Sequence, residues 1–222
     1  PYWYGEGADL SPDEFGLRAA RALEAKIEEL GPDNVAAFIA EPVQGAGGVI
    51  IAPGTYWPEV RRVLEKYDIL LVMDEVICGF GRTGKWFGNI FYGMKPDLMT
   101  FAKAVTNGYQ PLGGVMVGER VAEVLTTRGG EFGHGFTYSG HPAACAAGLA
   151  TLKILREEKV IENVESVTGP HLARRWAELA DHPLVGEART LGLFGALELV
   201  KDKATRERFA PGGRAGSVCR QA

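Results

Sequence analysis

Three nearly continuous apolar runs constrain the fold of this 222-residue chain most strongly. They are VAAFIAEP (35–42), ILLVMDEV (69–76) and DLMTFAKAV (97–105), and such runs are typical of strands that are covered on both faces of a sheet. The segment TYWPEVRRVLEKY between the first two has apolar residues at helical spacing. The sequence therefore predicts a strand–helix–strand unit with parallel strands. A short fourth strand is predicted at GGVMVGE (113–119), where the brief connection permits an antiparallel course.

The clearest predicted helix is SPDEFGLRAARALEAKIEEL, which Gly31-Pro32 should end. Ser11 can cap it, Pro12 suits its first turn, and Glu14 completes a capping box. Its expected buried face comprises Phe15, Ala19, Leu23, Ile27 and Leu30. A second helix is predicted from Ile161 to Leu179, and HPLVGEARTLGLFGALELV after it predicts two strands around a turn. This last piece is consistent with the start of a second domain.

Composition excludes several classes of function. The chain has 24 Lys and Arg against 28 Asp and Glu, a net charge of -4, which gives no reason to expect nucleic acid or an anionic membrane as a partner. It has no apolar run long enough for a transmembrane helix and no signal-peptide pattern. The three cysteines, Cys78, Cys145 and Cys219, are far apart, which fits a reducing cytoplasm. Without an initiating Met, the chain is expected to be an interior piece of a longer protein.

Each predicted core strand ends in polar residues, namely Glu41, Asp74-Glu75 and Lys103. Ligands bind at the carboxyl edge of such sheets, so an acid, an acid and a lysine there indicate a site. One interpretation of Lys103 and Asp74 is a structural ion pair across neighbouring strands. The other is that Lys103 forms a Schiff base with pyridoxal phosphate, since partial burial would lower the pKa of its amine. Asp74 would then be the carboxylate that keeps the pyridine nitrogen of this cofactor protonated. Spacing leaves both open.

Two further motifs have alternative interpretations. GFGRTG (79–84) matches the dinucleotide pattern GxGxxG, but its continuation has no helical period, which disfavours a nicotinamide-binding oxidoreductase. In HGFTYSGHP, Thr137 and Ser139 could receive a phosphate beside a helix start, or Ser139 could cap that helix. His134 and His141 lack companions at metal-ligand spacing, so no metal site is expected.

Four segments in order resemble the class III pyridoxal-phosphate aminotransferases, and most of all their ω-amino acid (ω-amine):pyruvate branch. They are FIAEPVQGAGGVI, LLVMDEVICGFGRTG, DLMTFAKAVTNGYQPLGGVMVG and HGFTYSGHPAACAAG. The resemblance implies an α/β fold of the fold-type I transferases, with a mostly parallel sheet and helices on both faces. It further implies that residues 1–155 are the C-terminal part of the large cofactor-binding domain. Residues 156–222 would then begin a smaller C-terminal α+β domain.

The resemblance also implies residue roles around the cofactor. Lys103 matches the Schiff-base lysine, and Asp74 matches the aspartate that pairs with the pyridine nitrogen. Val76 falls where the family packs an aliphatic side chain against the ring face. Ile77 stands where several members carry a glutamine near the phenolic oxygen. We interpret that departure as a subgroup trait that disfavours a γ-aminobutyrate or ornithine enzyme.

Two more residues and the reaction follow from the resemblance. Thr137 matches the residue that binds the cofactor phosphate of the partner subunit, which implies a homodimer, and Glu41 matches a substrate-side glutamate able to pair with an arginine. The implied reaction moves an amino group from an ω-amine or ω-amino acid to pyruvate or another keto acid in a ping-pong cycle. The family's phosphate-binding turn and substrate-carboxylate arginine are expected outside these residues. A catalytically inert fragment, or an aminomutase or decarboxylase of the same fold, therefore stays an alternative.

Overall fold

The computed structural model describes residues 2–7, 9–209 and 218. The helices are α1 (Trp3–Glu6), α2 (Pro12–Leu30), α3 (Tyr56–Tyr67), α4 (Gly88–Phe91), α5 (Glu119–Arg128), α6 (Pro142–Glu157), α7 (Val160–Asn163) and α8 (Gly169–Glu178). The strands are β1 (Ala37–Ala40), β2 (Val43–Gln44), β3 (Ile50–Ile51), β4 (Leu70–Asp74), β5 (Leu98–Phe101), β6 (Gly114–Val117), β7 (Val185–Leu191), β8 (Phe194–Asp202) and β9 (Glu207–Arg208).

The central sheet has the strand order β1-β4-β5-β6. β4 runs parallel to both β1 and β5, whereas β6 runs antiparallel to β5. The helix α3 connects β1 to β4 over the sheet, as the predicted strand–helix–strand unit requires. The three predicted strands and the short fourth strand are therefore confirmed, and the structure settles the antiparallel course of the fourth.

One face of this sheet is covered by α2 and α3, which pack against each other. Met73 of β4 and Met99 of β5 lie in one buried cluster with Trp57 and Val60 of α3. Full burial of apolar side chains of this size contributes about 1.5–3 kcal/mol each, so this cluster is the main core of the sheet. The opposite face includes the side-chain positions of Asp74 and Thr100, which are paired in register. It also bears the exposed apolar side chains of Ile39, Val115 and Val117.

The helix α2 has the start that its sequence predicts. The Ser11 hydroxyl accepts a hydrogen bond from Glu14 N at 3.3 Å, and Ser11 N donates to Glu14 Oε2 at 2.9 Å. The helix ends at Gly31, whose φ of 82° lies in the left-handed region that favours glycine. The predicted buried face is wrong at Leu30, which is 51% exposed, because the last turn of α2 extends past the cluster it covers.

The second predicted helix is divided in the structure. A π-helical turn (Val164–Thr168) separates α7 from α8, and Gly169 N donates across it to Val164 O. The predicted pair of strands is confirmed as the antiparallel hairpin β7–β8, which turns at Gly192. A Cβ at Gly192 would lie 2.4 Å from Arg82 O, so only glycine fits this close approach. The predicted boundary between residues 155 and 156 falls inside α6, and the division into two domains stays a prediction.

Within residues 2–7, 9–209 and 218, no helix is long and apolar enough to cross a lipid bilayer. Cys78 and Cys145 are free thiols, and Cys219 lies outside the described residues. Burial raises the pKa of the Cys78 thiol to about 12, so this thiol stays protonated and acts as a small apolar residue.

Candidate active site

The polar ends of the three parallel strands meet at one edge of the sheet. Asp74 is the last residue of β4, Glu41 directly follows β1, and Lys103 follows the end of β5 at Phe101. Because β1, β4 and β5 are adjacent and parallel, all three residues lie at the same carboxyl edge. The expected convergence of an acid, an acid and a lysine is therefore present in the fold.

The Asp74 carboxylate is held in place from two sides. Its Oδ1 accepts a hydrogen bond from Val76 N at 3.0 Å and one from Thr100 Oγ1 at 3.2 Å. No hydrogen bond between described residues uses Oδ2, and no ion pair between them joins Asp74 to Lys103. The structural ion pair that the sequence left open is thus not formed here. Asp74 presents one oriented, half-buried oxygen to a ligand.

Lys103 lies exposed where the chain leaves the sheet. The expected partial burial is therefore wrong for this chain, because a 3₁₀ turn (Lys103–Val105) begins at the lysine and directs the backbone out of the strand. Its φ of 46° is in the left-handed region, which costs a residue other than glycine about 1 kcal/mol. The turn is anchored by its last residue, Val105, and by Thr106 directly after it, both of which are buried. Strain of this kind clusters at functional sites.

Glu41 begins a turn that Ile77 supports. The Glu41 Oε2 accepts a hydrogen bond from Gly45 N at 3.0 Å. A Cβ at Gly45 would lie 2.7 Å from Ile77 Cδ1, so the Ile77 side chain packs directly against this turn. None of the ion pairs between described residues includes Glu41, and its predicted arginine partner stays a prediction.

The neighbouring acid, Glu75, has a structural role that the sequence did not reveal. It is fully buried, and its carboxylate accepts hydrogen bonds from Gly88 N at 2.7 Å and from Asn89 N at 2.6 Å. Burial raises the pKa of Glu75, and the two backbone donors oppose that effect. Glu75 thus fixes the first residues of α4 under the turn that begins at Val76. One signal in the sequence indicates this role, which is that Glu75 lies inside an apolar run. A buried acid there needs hydrogen-bond partners.

Thr137 is not brought together with the other site residues. It lies in an exposed segment (129–140) where Phe136 and Tyr138 are also exposed, at 78% and 83%. The alternative that Ser139 caps the following helix is wrong. Its hydroxyl accepts a hydrogen bond from Phe136 N at 3.1 Å within the turn, and α6 begins after His141 without a side-chain cap. The turn satisfies the hydroxyl before the helix starts.

The GFGRTG segment forms consecutive turns and opens no helix, since the next helix begins at Gly88. Phe80, inside the motif, is buried against Phe87 and Phe101. Gly81 and Gly84 have φ values of 93° and 84°, and they let the turns pass close to Ile161 and Glu165. These glycines serve close packing between segments, so the geometry does not support a nicotinamide-binding site here.

The family model of the class-III aminotransferases matches residues 8–222. This chain belongs to that family. It is 64% identical over 221 residues to a putrescine–pyruvate aminotransferase of Pseudomonas aeruginosa, covering 100% of this chain and 48% of the relative. It is 50% identical to a diaminobutyrate–2-oxoglutarate transaminase of Halomonas elongata, with 97% of this chain and 47% of the relative covered. The chain thus spans about half the length of these curated relatives.

Solved structures of transaminases share the fold. An (S)-enantioselective ω-transaminase from Thermomicrobium roseum superposes with a TM-score of 0.89 at 51% identity, covering 95% of this chain and 47% of that one. A transaminase from a directed-evolution study based on ancestral reconstruction gives a TM-score of 0.93 at 50% identity, covering 100% of this chain and 50% of that one. These likenesses confirm the predicted fold-type I architecture.

Class-III aminotransferases use pyridoxal phosphate, and the residues at the sheet edge fit that cofactor. The free Oδ2 of Asp74 can accept a hydrogen bond from a protonated ring nitrogen, and its Oδ1 is already fixed by two donors. The exposed amine of Lys103 can reach a carbonyl carbon without breaking any ion pair between described residues. A fixed carboxylate and an accessible amine on adjacent strands are the two groups that an aromatic aldehyde of this kind requires.

Proposed function

We propose that the protein carrying this chain is a pyridoxal-phosphate-dependent aminotransferase that moves an amino group from an ω-amine or ω-amino acid to pyruvate or another keto acid. One observation carries the proposal. The Asp74 carboxylate, fixed by Val76 N and Thr100 Oγ1, shares the sheet edge with the accessible amine of Lys103. The membership in the class-III family and the name of the 64% identical relative support the reaction type.

The proposed roles follow from the chemistry of the side chains. When bound, pyridoxal phosphate supplies an aldehyde and a ring that withdraws electrons from the substrate carbon. Lys103 Nζ would hold the cofactor through its aldehyde, and as a free amine it would take up the proton from the substrate carbon. Asp74 would keep the ring nitrogen protonated through its charge. Val76 is proposed to pack against the ring face, and Ile77 is proposed to stand near the phenolic oxygen.

A diamine with pyruvate as acceptor is the substrate pair we propose. The relative at 64% identity is named for putrescine and pyruvate, whereas the relative at 50% identity is named for diaminobutyrate and 2-oxoglutarate. Both names share a donor with two amino groups. The half-buried carboxylate of Glu41, at the substrate side of the proposed site, suits a donor with a second cationic end.

The proposed assembly is a homodimer in which Thr137 reaches the cofactor phosphate of the partner subunit. The exposed Phe132, Phe136 and Tyr138 around Thr137 support an interface there, because aromatic residues are enriched at such surfaces. Thr137→Val should then speed the loss of pyridoxal phosphate on dialysis, whereas Thr126→Val on α5 should not. Equal retention in both variants would contradict this role. We place the enzyme in the cytoplasm, which the sparse cysteines support.

The reaction is tested with the gene product that carries this chain. Putrescine, diaminobutyrate and γ-aminobutyrate are each paired with pyruvate or 2-oxoglutarate, and alanine or glutamate is measured. We expect alanine from putrescine and pyruvate, and no alanine from the Lys103→Ala variant. Lys95→Ala is the matched control, because Lys95 is an exposed lysine in the loop before β5. Full activity of Lys103→Ala would refute the proposal. Consumption of an amino acid donor with neither alanine nor glutamate formed would favour an aminomutase or decarboxylase.

The isolated 222-residue chain gives a separate comparison. Added to pyridoxal phosphate, it tests whether these residues bind the cofactor without the rest of a full-length relative. Cofactor uptake by the gene product, with none by the isolated chain, would identify the chain as the inert piece of an active enzyme.

A further inference from the structure

Arg189 of β7 joins the C-terminal sheet to the loop beside Glu41, although 140 residues separate the two in sequence. Its Nε donates to Gly48 O and to Val49 O, both at 3.0 Å, and its Nη2 also donates to Gly48 O. Its Nη1 donates to Glu187 Oε2 at 2.7 Å. The side chain is only 10% exposed. One guanidinium thus holds two consecutive carbonyls of a distant loop.

The loop that Arg189 holds is the tip of the hairpin β2–β3. Gly48 N and Val49 N both donate to Gly45 O, at 3.2 and 3.1 Å, so the tip is closed on itself. Val49 has a φ of 52° and Gly48 one of 120°, which turns their carbonyls toward the arginine. A hairpin tip with two residues in the left-handed region needs support from outside to stay in one conformation.

The same hairpin carries the hydrogen-bond donor that orients Glu41. Gly45 N donates to Glu41 Oε2, and Ile77 packs against Gly45 from the other side. The hairpin is also packed against the C-terminal sheet, because Val43 shares a buried cluster with Leu191 and Phe194. A shift of the tip would therefore move Gly45 and with it the Glu41 carboxylate.

We infer that Arg189 is a positioning residue for Glu41, acting through the Gly48 and Val49 carbonyls and the Gly45 amide. This inference rests on the proposed function, in which Glu41 contacts the substrate. The C-terminal sheet thereby sets the orientation of a substrate-side group at the end of β1. Arginine suits the task because its planar fork can donate to two carbonyls and pair with two carboxylates at once. Here those acids are Glu187 and Glu198.

The test compares Arg189→Lys with Arg206→Lys in the gene product that carries this chain. Arg206 is a matched control. Arg189 stacks on the Tyr2 ring, and Arg206 likewise stacks on an N-terminal ring, that of Trp3, and donates to a backbone carbonyl, that of Tyr4. Lysine keeps the charge, but its three N–H donors cannot serve the two hairpin carbonyls and the two acids at once, as the five donors of arginine do. We expect Arg189→Lys to raise KM for the amine on the order of tenfold, with kcat per cofactor-loaded site nearly unchanged. Arg206→Lys should leave KM unchanged.

A double-mutant cycle with Glu41→Gln separates positioning from general destabilisation. If Arg189 acts through Glu41, Arg189→Lys should raise KM in the wild-type background and not in Glu41→Gln. An equal rise in both backgrounds, or an equal rise with Arg206→Lys, would overturn the inference. If Arg189→Lys fails to fold, Arg189→Gln, which keeps a planar donor, takes its place in the cycle.

Hydrogen exchange tests, without an activity assay, whether Arg189 holds the hairpin β2–β3 in place. Amides of the hairpin peptide (43–51) should exchange faster in Arg189→Lys than in wild type or Arg206→Lys. Unchanged exchange would overturn the inference even in a fully active enzyme. If the wild type forms no alanine, the proposed function fails, and the exchange result still decides whether Arg189 holds the hairpin.

Discussion

The Thr100 hydroxyl donates a hydrogen bond of 3.2 Å to Asp74 Oδ1 across the parallel strands β4 and β5. Strand β5 therefore orients Asp74, the proposed partner of the ring nitrogen. The same strand leads to Lys103, the proposed cofactor lysine, which follows Thr100 by three residues. The same strand pair therefore positions the Asp74 carboxylate and the backbone of the turn that carries Lys103.

Thr100→Val removes this hydrogen bond and keeps the shape of the side chain. Val76 N still donates to Asp74 Oδ1, so the carboxylate should become more mobile but keep its position. We expect kcat to fall about fivefold, which corresponds to the roughly 1 kcal/mol of a typical hydrogen bond. Thr126→Val is the control, because the Thr126 hydroxyl bonds only to carbonyls of its own helix. Equal steady-state rates in both variants would show that Thr100 does not orient Asp74.

Asp74→Asn keeps the two hydrogen bonds and removes the charge. Without that charge the ring nitrogen loses its proton, and kcat should fall on the order of hundredfold or more. Asp68→Asn should have little effect, since Asp68 is an exposed acid that pairs with Arg120 on the surface. An unchanged rate for Asp74→Asn would remove Asp74 from the proposed site.

Gly45→Ala tests the packing of Ile77 against the Glu41 turn. The added Cβ would lie 2.7 Å from Ile77 Cδ1, so the turn must shift, and we expect a loss of about 1–3 kcal/mol in the free energy of unfolding. Combining it with Ile77→Ala should relieve part of that loss. Gly54→Ala is the matched control, because within the described part of the chain a Cβ there would meet no heavy atom within 4 Å beyond Gly54 itself and its two neighbours in sequence. Urea unfolding of the variants gives the comparison, and additive losses in the double variant would contradict direct packing.

Glu75→Gln tests the raised pKa of the buried Glu75 carboxyl through the pH dependence of stability. Because burial raises the pKa of Glu75, the folded protein binds this proton more tightly than the unfolded chain does. Its contribution to stability is therefore largest below the ordinary carboxyl value of 4.5 and is lost as pH rises through the raised value. Glutamine does not ionise, so the wild type's advantage over Glu75→Gln should shrink as pH rises through this window. Urea unfolding at a series of pH values measures it, and a growing advantage would contradict the raised pKa.

Local chemistry made much of the fold predictable. The capping box of Ser11 and Glu14 requires only residues three apart. The continuous apolar runs are typical of strands, although Ile39 in the first of them is 61% exposed in the structure. The convergence of Glu41, Asp74 and Lys103 followed from one rule, since parallel neighbouring strands end at the same edge. Their roles came from the resemblance to the class-III family and stay proposals.

Contacts between distant segments were not predictable. Arg189 bonds to carbonyls 140 residues away, and no local pattern marks either end of that contact. Glu75 receives donors from Gly88 and Asn89, which only the turns between them bring into reach. The exposure of Lys103 was missed because hydrophobic patterning does not show where a strand ends in a turn with positive φ.

The most direct test of the account is to locate the cofactor covalently. The gene product that carries this chain is loaded with pyridoxal phosphate, treated with borohydride and digested, and the peptides are examined by mass spectrometry. The account predicts a single pyridoxyl phosphate on the peptide that contains Lys103, and its loss in Lys103→Ala but not in Lys95→Ala. A pyridoxyl group on another lysine, with Lys103 unmodified, would contradict it.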